Sequence, residues 1–122
     1  MYKILVVDDD RVIREMLKFV LTSNGYSVVV SHRPEQTASN ILHSAIDLVL
    51  LDQFIFEASG MEVCRELQEN ESTAQVPVLM MSAHSEIKKN CLKAGATDFI
   101  SKPFEIKDLF SKIETILKQT KK

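Results

Sequence analysis

Apolar runs alternate along the chain with stretches of helical periodicity. The first run, Lys3–Val7, is followed by Arg11–Ser23, in which apolar residues recur at the spacing of a helix face. Asn24-Gly25 then marks the end of that helix, because glycine readily adopts the left-handed conformation found after many helices. The same order of strand and helix repeats to the end of the chain.

Four more strand–helix units follow the first. The predicted strands cover residues 26–30, 47–51, 77–81 and 97–100, and the predicted helices cover residues 34–43, 60–70, 85–93 and 105–118. Apolar strands that alternate with helices indicate a parallel sheet covered on both faces, with right-handed crossovers. We therefore predict one α/β domain over residues 1–122, built as an open doubly wound five-stranded parallel sheet with five helices.

The composition narrows the class of protein. Hydrophobic residues make up 45% of the chain and charged residues 26%, as in globular domains. The net charge of −2 gives no electrostatic reason to expect nucleic-acid binding. No apolar run is long enough to span a bilayer, and the N-terminus lacks the layout of a signal peptide. We expect Cys64 and Cys91 to be reduced core residues of a cytoplasmic protein.

Reactive side chains stand where the predicted strands end. Asp8 and Asp9 follow the first strand, Asp52 the third, Ser82 the fourth and Lys102 the fifth. In a parallel sheet the carboxyl ends of the strands lie along one edge, where ligands bind. The five residues, although far apart in the chain, are therefore expected to converge on one small site.

The residue types at this site favour phosphoryl chemistry with a divalent ion. Crowded carboxylates repel one another unless a cation is present, and hard oxygen ligands favour Mg²⁺. Lys102 is a compact charge suited to a phosphoryl oxygen, and the Ser82 hydroxyl can donate to another. Asp52 is then the candidate nucleophile, because carboxylates can form covalent phosphoryl intermediates. Asp10, by contrast, is expected to cap the next helix.

With these residues in place, the whole chain resembles the receiver domain of two-component response regulators. The resemblance rests on Val7-Asp8-Asp9, Leu50-Leu51-Asp52, Gly60, Met81-Ser82-Ala83 and Lys102-Pro103-Phe104. It implies a flavodoxin-like sheet of strand order 2-1-3-4-5. It also implies that a histidine kinase or a histidine phosphotransfer protein phosphorylates Asp52, and that the domain is a switch which catalyses only its own phosphorylation and dephosphorylation.

The resemblance also assigns roles to individual residues. Asp9 is implied to coordinate Mg²⁺ directly, and Asp8 largely through water. Asp52 and the backbone carbonyl of Phe54 are the other implied ligands. Lys102 is implied to hold the phosphoryl group, with a cis peptide bond to Pro103, a form essentially confined to proline.

Phosphorylation is implied to change the conformation. The Ser82 hydroxyl turns toward the phosphoryl oxygen, Phe99 rotates inward, and the face of the fourth helix, fifth strand and fifth helix is remodelled for an output domain or partner. Relatives commonly dimerise through this face, which leaves a homodimer on phosphorylation open here. Phe54 and His84 are implied to modulate hydrolysis of the acyl phosphate, because they border the path of the attacking water.

The chain departs from the family pattern in two places. Phe99 replaces the frequent tyrosine, so the inward position gains no phenol hydrogen bond. Phe56 stands where proline is frequent, which makes Phe54, Ile55 and Phe56 an unusually apolar stretch. This stretch either packs onto the third helix or forms an exposed docking patch.

Two other functions stay open. Asp8, Asp10 and Val12 fit the first motif of haloacid-dehalogenase-type phosphatases, although no acidic pair follows Lys102. A receiver-like interaction module that no longer takes phosphate is the other alternative, disfavoured because all five site residues are present. The three histidines lack ligand spacing and are expected at the surface.

Overall fold

Five parallel strands form the centre of the structure, a computed structural model that describes residues 1–55 and 58–120, without the side chains of residues 54, 55, 58 and 120. The strands are β1 (Lys3–Val7), β2 (Ser27–Ser31), β3 (Leu48–Asp52), β4 (Val78–Ser82) and β5 (Asp98–Ser101). Their hydrogen-bonded order is β2-β1-β3-β4-β5, with parallel pairing throughout. The predicted fold class and strand order are confirmed.

Strands β2 to β5 each begin and end one residue later than predicted. The register pairs Asp52 with Met81 and Ser82 with Ser101, so Asp52 and Ser82 end their strands instead of following them. The sequence pattern reports apolar side chains, whereas strand pairing depends on backbone groups. Polar residues at a carboxyl end can therefore belong to the strand.

The helices are α1 (Arg11–Ser23), α2 (Thr37–Ser44), α3 (Gly60–Glu69), α4 (Lys88–Lys93) and α5 (Ile106–Thr120). The 3₁₀ turns Pro34–Gln36 and Ser85–Ile87 precede α2 and α4. The sequence predicts helices that begin at Pro34 and Ser85, and these residues begin the 3₁₀ turns instead. A short antiparallel hairpin pairs Phe54–Ile55 with Ala58–Ser59. This hairpin was not predicted, because two-residue strands carry no periodic signal.

Helices cover both faces of the sheet, so strand residues are buried on either side. Alternate residues of β1, such as Leu5 and Val7, pack with residues of α3 and α4, including Cys64 and Cys91. On the other face, residues of β1, β3, β4 and β5 pack with buried residues of α1 and α5: Leu17, Leu21, Leu109, Ile113, Ile116 and Leu117. Both cysteines are free and buried, as expected. Burial raises the pKa of the Cys64 thiol to about 11.

Helix α1 begins and ends as the sequence predicts. The Asp10 side chain accepts hydrogen bonds from the backbone N–H groups of Val12 (2.9 Å) and Ile13 (3.4 Å), which confirms its capping role. After the helix, Gly25 has a φ of +94°, a conformation that favours glycine. No helix in the described part of the chain is long and apolar enough to cross a membrane.

Candidate functional site

Three carboxylates meet at the carboxyl ends of β1 and β3. Asp8 and Asp9 lie directly after β1, and Asp52 is the last residue of β3. One carboxylate oxygen from each lies within 4.8 Å of the others. Asp8 is fully buried and Asp52 is 7% exposed, while Asp9 is half-buried. The fold thus brings the acidic residues together as predicted, with two of them largely out of water.

Lys102 joins two of these carboxylates. Its Nζ donates to Asp8 Oδ2 at 2.8 Å and to Asp52 Oδ1 at 3.0 Å. The Lys102 side chain is 18% exposed, so these ion pairs are shielded from solvent. A partly buried ammonium between two buried carboxylates offsets their repulsion and holds their oxygens in fixed positions.

The electrostatics leave Asp52 poorly stabilised as an anion. Burial raises the pKa of Asp52 to about 6; the hydrogen bond from Lys102 opposes this shift, and the neighbouring charge of Asp8 adds to it. The pKa of Lys102 is raised, because its hydrogen bonds to Asp8 and Asp52 outweigh the lowering effect of burial. Near neutral pH the lysine is charged, and the ionised Asp52 gains from any further positive charge nearby.

The turn after β1 is held by its own hydrogen bonds. Asp8 Oδ1 accepts from the backbone N–H of Asp10 at 2.9 Å. The Arg14 guanidinium, one turn into α1, donates from Nη1 to the backbone carbonyl of Asp8 at 2.7 Å. Sequence reasoning missed Arg14, because a single arginine in a helix carries no motif of its own.

Ser82 stands at the end of β4, beside the strand that leads to Lys102. It is 1% exposed, and its Oγ accepts from the backbone N–H of His84 at 3.0 Å. The backbone N–H of Lys102 donates to the carbonyl of Ser82 at 2.8 Å. The His84 side chain is exposed, as are His32 and His43, in agreement with the expected surface positions.

The remaining predicted residues lie near this edge or outside the described part. The Lys102–Pro103 peptide bond is cis, as the resemblance implied. Phe99 is 4% exposed and belongs to the core on the α3 and α4 side, so its side chain already lies inward. Phe56, together with the side chains of Phe54 and Ile55, lies outside the described residues, and so does the choice between packing and docking.

Gln53 is the second residue that sequence reasoning missed. It follows Asp52 directly, is 3% exposed and hydrogen-bonds to the start of α3. A signal in the sequence that could have pointed to Gln53 is its polar side chain directly after the candidate nucleophile. Its partner eight residues away, however, depends on the path of the intervening loop.

The donor set fits a magnesium ion. Two of the three carboxylates pair with Lys102. The clustered oxygens of all three are hard ligands, without a sulfur or imidazole among them. Mg²⁺ prefers this kind of ligand and completes its shell with water and phosphate oxygens. Asp8, Asp9 and Asp52 are the residues that would hold it.

Comparison with known proteins agrees with this fold. The sequence profile of the family described as response regulator receiver domain matches residues 4–114. The chain therefore belongs to the response regulator receiver domain family. The haloacid-dehalogenase alternative is excluded, in keeping with the capping role of Asp10.

Similar proteins include a response regulator and solved receiver domains. The chain is 36% identical to the response regulator MprA of Mycobacterium avium over 121 residues, which are 98% of this chain and 52% of MprA. It therefore spans about half the length of the curated relatives it matches. A Francisella response regulator receiver domain superposes with a TM-score of 0.89 at 28% identity, covering 99% of this chain and 100% of that one. A CheY-like receiver domain protein from Methanospirillum hungatei gives 0.89 at 26% identity, covering 98% and 96%.

Proposed function

We propose that this receiver domain accepts a phosphoryl group on Asp52 in a Mg²⁺-dependent reaction, from a histidine kinase or a histidine phosphotransfer protein in the cytoplasm. The observation that carries the proposal is the meeting of Asp8, Asp9 and Asp52 within 4.8 Å under the charge of Lys102. Structural packing alone gives no reason to gather three carboxylates and an ammonium at the edge of the sheet where ligands bind.

The proposed step is an in-line transfer to a carboxylate. An Asp52 oxygen attacks the phosphorus of a phosphohistidine, an O–P bond forms, and the P–N bond breaks. The imidazole leaves with the electron pair and takes a proton from water. Lys102 stabilises the charge on the equatorial oxygens, which is where most of the catalysis of phosphoryl transfer arises.

Asp8, Asp9, Asp52 and the carbonyl of Phe54 are the proposed Mg²⁺ ligands. When bound, the ion would supply positive charge that stabilises the transferred group and favours the ionised form of Asp52, which burial disfavours. The roles of Phe54 and His84 in hydrolysis of the acyl phosphate stay predictions, to be measured as decay rates after substitution.

Incubation with acetyl phosphate and Mg²⁺ is expected to add the mass of one phosphoryl group to the protein, measured by intact mass spectrometry. Asp52→Asn is expected to abolish the gain, because a neutral amide is not a competent nucleophile here. EDTA should suppress the gain in the unchanged protein.

Asp10→Asn is the matched control for this experiment. Asparagine caps helices as well as aspartate does, so this variant is expected to be phosphorylated normally. A receiver-like module that no longer takes phosphate would show no gain in any variant. A gain that persists in Asp52→Asn would place the acceptor elsewhere.

Ser82 and Phe99 are the proposed switch residues, and the face of α4, β5 and α5 is the proposed output surface. This face carries a groove of about 600 Å³, whose lining includes Lys88, Ser101, Phe104, Asp108 and Lys112. Because Phe99 is buried already, we expect the change to start at Ser82, whose Oγ must leave the N–H of His84 to reach a phosphoryl oxygen.

Beryllofluoride, an acyl-phosphate mimic, is therefore expected to shift amide NMR signals along α4 and β5. In Ser82→Ala the shifts should stay confined to the residues around Asp52, since no hydroxyl is left to move. Equal long-range shifts in both proteins would remove Ser82 from the switch. Gel filtration of the same samples tests the homodimer.

A further inference from the structure

The residue after the proposed phosphoacceptor is a buried polar side chain. Gln53 is 3% exposed, and a buried amide is normally held by hydrogen bonds. Its backbone N–H donates to the carbonyl of Met81 at 2.9 Å, and its backbone carbonyl accepts from the N–H of Gly60 at 2.7 Å. The backbone at Gln53 is therefore tied both to β4 and to the first residue of α3.

The Gln53 side chain adds a second link to α3. Its Oε1 accepts from the backbone N–H of Met61 at 2.8 Å, and its Nε2 donates to Ser59 Oγ at 3.4 Å. The first N–H groups of a helix have no partner within the helix, and Ser59, at the N-cap position, makes no side-chain capping bond. Gln53 thus caps α3 from across the loop.

The backbones on either side of this link are in close contact. A Cβ atom on Gly60 would lie 2.5 Å from the carbonyl oxygen of Asp52 and 2.8 Å from Cα of Gln53. The start of α3 rests directly on the backbone that carries the proposed phosphoacceptor. If the link to Met61 changes, the start of α3 therefore has little room to shift without also moving the backbone of Asp52.

We propose that Gln53 is a positioning residue, which clamps the start of α3 to the end of β3 and so aligns the metal ligands at Asp52 and Phe54. The inference rests on the proposed function, because alignment matters only if these oxygens hold Mg²⁺. Groups that orient metal ligands typically contribute 10–100-fold to metal affinity. A neutral amide suits the position, since it accepts from Met61 and donates to Ser59 at once.

The test compares Gln53→Met with Thr73→Val. Methionine keeps the length of the side chain but removes both hydrogen bonds. Thr73 is also fully buried, and its Oγ1 donates to the carbonyl of Leu67 at 2.7 Å, near the far end of the same helix. Both variants are expected to lower the midpoint of thermal unfolding. Only Gln53→Met should weaken Mg²⁺ binding by about 10-fold in calorimetric titration.

A second measurement uses the unchanged protein, so its outcome does not depend on whether a variant folds. If the clamp aligns the site for Mg²⁺, then Mg²⁺ must by linkage strengthen the clamp. Hydrogen exchange at the Met61 amide is therefore expected to slow on addition of Mg²⁺ by a larger factor than exchange at amides of α5.

The outcomes separate this inference from the proposed function. Unchanged Mg²⁺ affinity in Gln53→Met, or equal slowing of exchange at Met61 and in α5, would overturn the positioning role while the proposed function stands. Absence of Mg²⁺ binding and phosphorylation in the unchanged protein would overturn both.

Discussion

Replacing Lys102 by methionine is expected to lower the free energy of unfolding of the metal-free protein by about 3 kcal/mol at pH 8, because it leaves buried charges without their partner. Asp8 is fully buried and Asp52 nearly so, and both accept a hydrogen bond from the Lys102 ammonium. Without it, the two carboxylates repel each other. Urea denaturation at pH 8 measures the loss.

The same variant should regain stability as the pH falls. Burial already raises the pKa of Asp52 from 3.8 to about 6, and removal of the lysine raises it further. A pKa higher in the folded than in the unfolded protein means that the folded state binds the proton more tightly. This contribution is fully present below pH 3.8 and is lost as the pH rises through about 6. Because the Asp52 pKa is higher in the variant, the difference in stability between the variant and the unchanged protein is expected to shrink as the pH falls from 8 to about 6 and to stay constant at lower pH.

Two controls identify the cause. Lys112→Met breaks the ion pair with Asp98, whose partners are about one-third exposed, and such pairs contribute about 0–1 kcal/mol. The double variant Lys102→Met/Asp52→Asn removes one of the two repelling carboxylates, so it should recover much of the loss at pH 8. If Lys102→Met were no less stable than Lys112→Met, the buried ion pairs would not contribute the expected stability of about 3 kcal/mol.

Gly60→Ala is the second substitution with a large expected effect. The added Cβ would lie 2.5 Å and 2.8 Å from backbone atoms of Asp52 and Gln53, which cannot rotate away as a flexible side chain can. Forcing a methyl group into packed backbone costs about 3 kcal/mol, more than the roughly 1 kcal/mol that alanine gains over glycine in a helix. Urea denaturation is expected to show the net loss.

This substitution should also weaken Mg²⁺ binding, since α3 and the Asp52 carbonyl must move apart. Gly25→Ala serves as the control, because a Cβ at Gly25 meets nothing within 4 Å and only its positive φ opposes the change. That variant is expected to lose about 1 kcal/mol and to bind Mg²⁺ as the unchanged protein does. Native stability and Mg²⁺ affinity in Gly60→Ala would show that the contact relaxes freely.

The fold and most of the site were predictable for one physical reason. Alternating strands and helices lead to a parallel sheet, and a parallel sheet has all its carboxyl ends at one edge. The sequence alone therefore predicts that Asp8, Asp52 and Lys102 lie close together, although 94 residues separate the first from the last. Cis Pro103 was foreseen too, from the family resemblance and not from any periodicity.

Other features depend on contacts that no local pattern records. Helix α1 carries more than one apolar stripe, and packing decides which is buried: Leu17 and Leu21 are fully buried, while Val12 is 75% and Phe19 72% exposed. Periodicity finds a stripe but does not say which stripe meets the sheet. The Arg14 bond to the Asp8 carbonyl likewise follows from how the first turn of α1 sits on β1.

The sequence by itself determined the order of elements, the class of fold and the edge at which acidic, hydroxyl and ammonium groups gather, because each follows from side-chain periodicity and the geometry of parallel strands. Only the tertiary structure decided how tightly that edge is held. The Lys102 ion pairs, the close approach of Gly60 to Asp52 and the Gln53 link to Met61 are contacts between separate elements, and their distances depend on how the completed sheet and helices pack.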